Sequence, residues 1–144
     1  MSPERHIENL IYHYAELLDL GDIAAVAQLF ARAQFLGPEG EVQGEGAEAI
    51  TAIYRSFTRI YPDGTPLSHH VTTNVIVEVD GETATARSYF TVFQATENLP
   101  LQPIIAGRYH DEFACDDIGW YFTARKMLPR LSGDLSQHLE VALS

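Results

Sequence analysis

The apolar residues of this chain change their period once, and that change dictates the order of its secondary structure. Up to about residue 60 they recur at helical spacing; from residue 68 they recur every second residue, as in strands buried on one face. Ile7, Leu10, Ile11, Tyr14, Leu17 and Leu18 make one stripe over residues 3 to 20, with Ser2 placed to cap it and Pro3 in its first turn. Gly21 stops this helix, and Asp22 caps a second whose apolar side is Ile23, Val26, Leu29 and Phe30. After GEG, a third helix is predicted to bury Ala49, Ile50, Ile53, Tyr54, Phe57 and Ile60 and to end before Pro62.

VIVEV, the pair Asp80-Gly81 and TATARSYFTVFQA then predict a hairpin with a tight turn. A Pro-bounded loop, ENLPLQP, leads to IIAGRYHDEFACD, and DDIG turns the chain into WYFTARKML. A short strand or hairpin is expected at AQFLGPEGEVQG, and a short helix in the tail, SGDLSQHLEVALS. Helices first and a meander of long strands afterwards is the pattern of an α+β domain with its helices on one face of an antiparallel sheet. With 144 residues, no repeat and no linker, one domain spanning residues 1 to 144 is expected.

Nine Lys and Arg against twenty Asp and Glu give a net charge of -11, the wrong sign for binding nucleic acid or anionic lipid. No window approaches the roughly 20 apolar residues of a membrane helix, and MSPERHIENL lacks the apolar core of a secretory signal, so a cytoplasmic protein is expected. The lone Cys115 excludes an internal disulfide and a CxxC metal site, and without a basic neighbour to activate it the thiol is read as inert. His110 and Asp111 are adjacent on a strand and face opposite ways, so no metal site is expected there.

YHYAELLDLGDIAAVAQLFA, GEGAEAITAIYRSF, HHVTTNVIVEVDGETATARSYF, GRYHDEF and GWYFTARK resemble the SnoaL-like branch of the nuclear transport factor 2-like superfamily, from about residue 5 to residue 130. The resemblance implies the cystatin-like cone of that superfamily: a strongly curved sheet wrapped over three N-terminal helices around an apolar pocket. It also implies a homodimer or homotrimer built on the outer sheet face. The members closest in motif are scytalone dehydratase and γ-hexachlorocyclohexane dehydrochlorinase, and both pair an Asp at the end of the first helix with a His on the strand after the third. Carried over by motif, these are Asp19 in LLDLGD and His70 in HHVTTN; on its own residues, Asp19 would read as an ordinary helix-end carboxylate. An Arg five residues after a Trp, here Arg125 after Trp120, would assist the departing group, although Arg125 is equally placed to pair with Asp111 or Glu112 across the sheet.

This set implies a cofactor-free lyase, a dehydratase or dehydrohalogenase, acting on a small apolar or cyclic organic substrate. His70 would be the general base and Asp19 the carboxylate that fixes its tautomer, since a histidine with an ordinary pKa of roughly 6.5 is largely neutral near pH 7. Tyr14, Tyr109 and Tyr89 are candidate hydrogen-bond donors, Thr72 and Asn74 polar wall, and Phe90 and Trp120 apolar wall, with Phe113 and Phe122 beside them. Against scytalone dehydratase, Leu18 replaces a Tyr, the second His falls near Phe93 or Gln94, and Tyr109 replaces an Asn. Against ketosteroid isomerase, Tyr14 matches the oxyanion-hole Tyr, but the general-base Asp falls on Pro38. A non-catalytic binding or accessory protein, and a cyclase, isomerase or hydrolase on the same scaffold, are the alternatives.

Strict alternation puts His69, Val71, Thr73, Val75 and Val77 on one face and His70, Thr72, Asn74, Ile76 and Glu78 on the other. If His70 faces the pocket, His69 is partly exposed or at an interface. The valines must then be covered from outside, and a partner subunit is expected over them.

Overall fold

The computed structural model describes residues 1–140. Helix α1 (Pro3–Asp19) is capped as its sequence predicts, with Arg5 N donating to Ser2 Oγ at 3.2 Å, and α2 (Ile23–Leu29) with Ala25 N donating to Asp22 Oδ1 at 3.1 Å. Gly21 between them has φ +76°, and a Cβ there would lie 2.0 Å from Gly64 O, so both the turn and the close approach require glycine. Strands β1 (Gln34–Leu36) and β2 (Val42–Glu45) form the predicted short hairpin.

Helix α3 (Gly46–Phe57) is shorter than its apolar pattern predicts: Ile50 and Tyr54 are buried, while Phe57 and Ile60 lie 44% and 42% exposed. The helix stops because Thr58 leaves helical geometry and bridges to Leu139. β3 (Ser68–Asp80), β4 (Thr83–Thr96), β5 (Leu99–Cys115) and β6 (Trp120–Ser132) follow as a meander. Where a loop was expected at ENLPLQP, β4 turns directly into β5. Pro100 and Pro103 fit because residues 99–103 extend past β6 and pair only with β4 on the other side.

The six strands lie in the order β2-β1-β6-β5-β4-β3, antiparallel except where β1 runs parallel to β6. Bulges in β3, β5 and β6 shift the register and bend the sheet over the helices. The inner face of β4 is Ala84, Ala86, Ser88, Phe90, Val92 and Gln94, all buried. It joins α1, α2 and α3 in one core through Ile7, Ile11, Tyr14, Val26, Phe30, Ile50 and Tyr54. No described helix is long and apolar enough to cross a membrane. The tail helix predicted over residues 132–144 falls partly on 141–144, outside the described residues; residues 133–140 form instead a strap with a turn at 136–138.

The valine row of β3 corrects a sequence expectation. Thr73 pairs with Tyr89 and Ile76 with Arg87, so one extra residue is inserted between them, with Asn74 at φ 52°. Beyond the bulge the alternation changes phase. His70 and Thr72 lie opposite the buried Val92 and Phe90, and Val77 and Val79 opposite the buried Ala86 and Ala84, so His70 and the valines beyond the bulge share the inner face, while Val71, opposite Thr91, stays on the outer one. Val75, Val77 and Val79 pack on the chain's own core, and no partner subunit is needed to cover them.

Candidate active site

Asp19 ends α1 where the helix meets the start of β3, and three donors converge on its carboxylate. His70 Nδ1 lies 2.6 Å from Oδ1, His70 N donates to Oδ2 at 2.8 Å, and Ser68 Oγ donates to Oδ1 at 2.7 Å. A carboxylate accepts only, so the bond to Nδ1 requires the proton on that nitrogen and leaves Nε2 as the basic one. Among the described residues none hydrogen-bonds to Nε2. Burial alone would raise the Asp19 carboxyl, but the His70 ring, its charge and backbone N–H, and the Ser68 hydroxyl outweigh it and hold the carboxyl below its ordinary value. The His70 side chain is 6% exposed and that of Asp19 22%.

The approach to this pair is over-determined. Leu67 takes a left-handed backbone, φ 54°, a conformation that is strained for a branched side chain. It is held by Leu67 N donating to Thr65 Oγ1 (3.1 Å) and by the buried Gln94, whose Nε2 donates to Pro66 O at 2.9 Å. The strain sets the direction in which β3 starts, and so where Ser68 and His70 meet Asp19.

Behind His70 the interior is filled by aromatic rings. Tyr14 stands edge-on to the His70 ring, centroids 6.4 Å apart, and its hydroxyl lies 2.7 Å from that of Tyr54. Tyr109 packs against Tyr14 at 5.9 Å and stacks on Phe90 at 4.5 Å. Gly107 opposite Phe90 makes room for this stack, since a Cβ there would come within 2.8 Å of the Phe90 ring. Burial pushes all three tyrosine hydroxyls above their ordinary pKa, and the positive charge of Arg125 pulls each part of the way back.

Arg125 is a core group, 1% exposed, with Nε donating to Asp111 Oδ1 at 2.8 Å and Nη2 to Oδ2 at 3.0 Å. Its Cζ lies 3.7 Å from the Tyr109 centroid and 4.4 Å from that of Tyr14. Burial works against the guanidinium, but Asp111 outweighs it, and Arg125 holds its proton more tightly than an ordinary arginine. Of its two sequence expectations, pairing with Asp111 is what the geometry shows; Tyr14 and Tyr109 shield it from direct approach by a ligand.

Asp19, His70, Thr72, Tyr14, Tyr109 and Phe90 are thus brought to one inner region with Arg125 behind them, whereas two expected wall residues, Asn74 and Trp120, and one expected donor, Tyr89, are not. Asn74 sits exposed on the bulge, Tyr89 is 41% exposed on the outer face under Arg108, and Trp120 pairs with Cys115 at the far end of β5. Asn74 and Tyr89 fail because the bulge reversed the phase after Thr73 and because odd positions of β4 point outward. Four polar residues at the site were missed. Ser68 and Gln94 could have been found by extending the even-numbered phases of β3 and β4, and Tyr54 from the α3 stripe. His138, which carries no periodic signal, could not.

The SnoaL-like domain model matches residues 1–126. The chain belongs to the SnoaL-like family. Among solved structures, this SnoaL-like chain is similar to Rv3472 of Mycobacterium tuberculosis, a protein of unknown function (26% identity, 86% of this chain and 69% of that one, TM-score 0.68). It is also similar to a candidate aromatic ring hydroxylase of Novosphingobium aromaticivorans (25%, 93% and 94%, 0.71). A candidate scytalone dehydratase of the same organism is a third (21%, 90% and 85%, 0.69). The shared fold is the cystatin-like fold of NTF2-like proteins, as the sequence resemblance implied. No curated protein matches the chain.

Proposed function

We propose that this SnoaL-like protein is a cofactor-independent lyase that eliminates water or halide from a small, largely apolar cyclic compound. The observation that carries the reading is the 2.6 Å contact between His70 Nδ1 and Asp19 Oδ1 at the edge of an aromatic interior. His70 Nε2 takes a proton from carbon, the electrons of that C–H bond form the double bond, and the bond to the leaving group on the neighbouring carbon breaks. Asp19 stabilises the imidazolium, more strongly where water is excluded. Tyr14, with the Arg125 charge behind it, is placed to donate to a developing oxyanion. Thr72, Tyr109 and Phe90 line the same side.

The test is a panel of cyclic β-hydroxy ketones and polychlorinated cyclohexanes, read by absorbance of the conjugated product and by halide release. Any turnover should fall by about 10³-fold or more in His70→Ala. Undiminished turnover in that variant would sink the assignment.

The aromatic filling of the cone supports a second reading, a non-catalytic binding protein; it predicts saturable binding of such compounds with no product, unchanged in His70→Ala. Both readings place self-association on the outer sheet face. A groove of about 390 Å³ lies there, bordered by Ile76, Arg87, His110 and Lys126, and Ile76 and Tyr89 are exposed nearby. A dimer or trimer mass is expected by sedimentation, lost in Ile76→Glu; a single-chain mass for the unaltered protein would rule this interface out.

A further inference from the structure

The strap after β6 crosses back over the end of the sheet where Asp19 and His70 lie, and it is tied down along its length. Gly133 N donates to Ile104 O (2.7 Å), Arg59 N to His138 O (2.9 Å) and Glu140 N to Phe57 O (2.7 Å), while Leu139 bridges to Thr58. Gln137 O accepts from Gln94 Nε2 at 3.1 Å and from the Tyr61 hydroxyl. Gln94 is the cross-strand partner of Ser68, whose hydroxyl is on Asp19, so these bonds set His138 beside the dyad.

Two buried polar atoms there lack partners among the described residues, His138 Nδ1 and Gln94 Oε1. Buried polar atoms are satisfied in the great majority of cases, and a polar group of a ligand would satisfy these two. A cleft of about 360 Å³, bordered by Tyr61, Leu67, Thr96 and Gln137, opens where the strap meets the start of β3.

We propose that His138 is a second functional imidazole of this site, hydrogen-bonding the departing group of a ligand while His70 takes the carbon-bound proton. The role rests on the elimination reading above. No proton need leave His138: the neutral ring donates a hydrogen bond, and the proton gained by His70 passes to solvent, so that the elements of water or hydrogen halide are lost overall. Burial, then the neighbouring His70, with Asp19 opposing, hold the His138 pKa down to about 4. The imidazole therefore stays neutral where His70 works, and it donates without competing as a base. Of the charged side chains nearby, Arg59, on the segment the strap pairs with, donates to Leu139 O, and Asp134, on the strap itself, accepts from Ser136 N and Oγ.

Two measurements test it on the full chain. In ¹⁵N-imidazole NMR, His138 should remain neutral to about pH 5, with a midpoint that rises in His70→Ala. A His138 ring that titrates at an ordinary value, unmoved by His70→Ala, overturns the proposal without reference to any substrate. On any compound of the panel that the unaltered protein turns over, His138→Gln should lower kcat by about 10- to 100-fold and change KM little. A loosened strap would instead raise KM. Loss in His70→Ala with full kcat in His138→Gln overturns this role alone; inactivity of the unaltered protein on the whole panel overturns the elimination reading, and this role with it.

Discussion

Asp111→Ala should lower the unfolding free energy by about 3–5 kcal/mol, the range found when one partner of a buried ion pair is removed. The size follows from what remains. Arg125 is sealed between the faces of Tyr14 and Tyr109, and its Nη1 already lacks a hydrogen-bond partner among the described residues. Without Asp111 it would be an uncompensated charge in an aromatic core. The paired replacement Asp111→Leu with Arg125→Met should be far milder, because it removes both charges and leaves apolar volume in their place. Urea unfolding of the two variants distinguishes these outcomes; a single variant as stable as the unaltered protein would mean that water reaches Arg125.

The second large effect is on chemistry. Asp19→Asn should reduce elimination by about 10²- to 10⁴-fold while leaving the fold intact. An amide presents one acceptor and one donor group where the carboxylate presents two acceptors, and three donors now converge on it. The side chain will turn either its NH2 towards Nδ1, forcing the proton onto Nε2 and blocking the base, or its oxygen, losing the charge that stabilises the imidazolium. Because the native carboxyl is held below its ordinary value, the stability it contributes is complete above that ordinary value and is lost only as pH falls through the depressed one. Near pH 7 the variant should therefore test the charge itself. Undiminished turnover in Asp19→Asn would remove Asp19 from the mechanism.

Most of the architecture was legible because its signals are local. The Ser2 and Asp22 caps, the stop at Gly21 and the turn after Asp80 are each decided by neighbouring residues, and the structure has all four. What was illegible depends on distant contacts. Strict alternation along β3 separated His70 from the valines, and only the bulge at Asn74, invisible to a period of two, puts them on one face. Asp19 looks like any helix-end carboxylate until β3 begins beside it. Phe57 and Ile60 extend the α3 stripe in sequence but not in space, because Thr58 is captured by Leu139, more than half the chain away.

The parallel seam between β1 and β6 has a consequence for how this chain can acquire its shape. Gln34 pairs with Ala124 and Leu36 with Lys126, so the β1–β2 hairpin, the first strands to leave a ribosome, joins the rest of the sheet only through the last strand. Until then the sheet that the helices cover is incomplete at its β1–β6 seam. Long-range pairing of this kind is slow, since the closure entropy of most of the chain is lost before the contacts form. The helical third, though contiguous in sequence, is therefore completed late in folding, when the final strand docks.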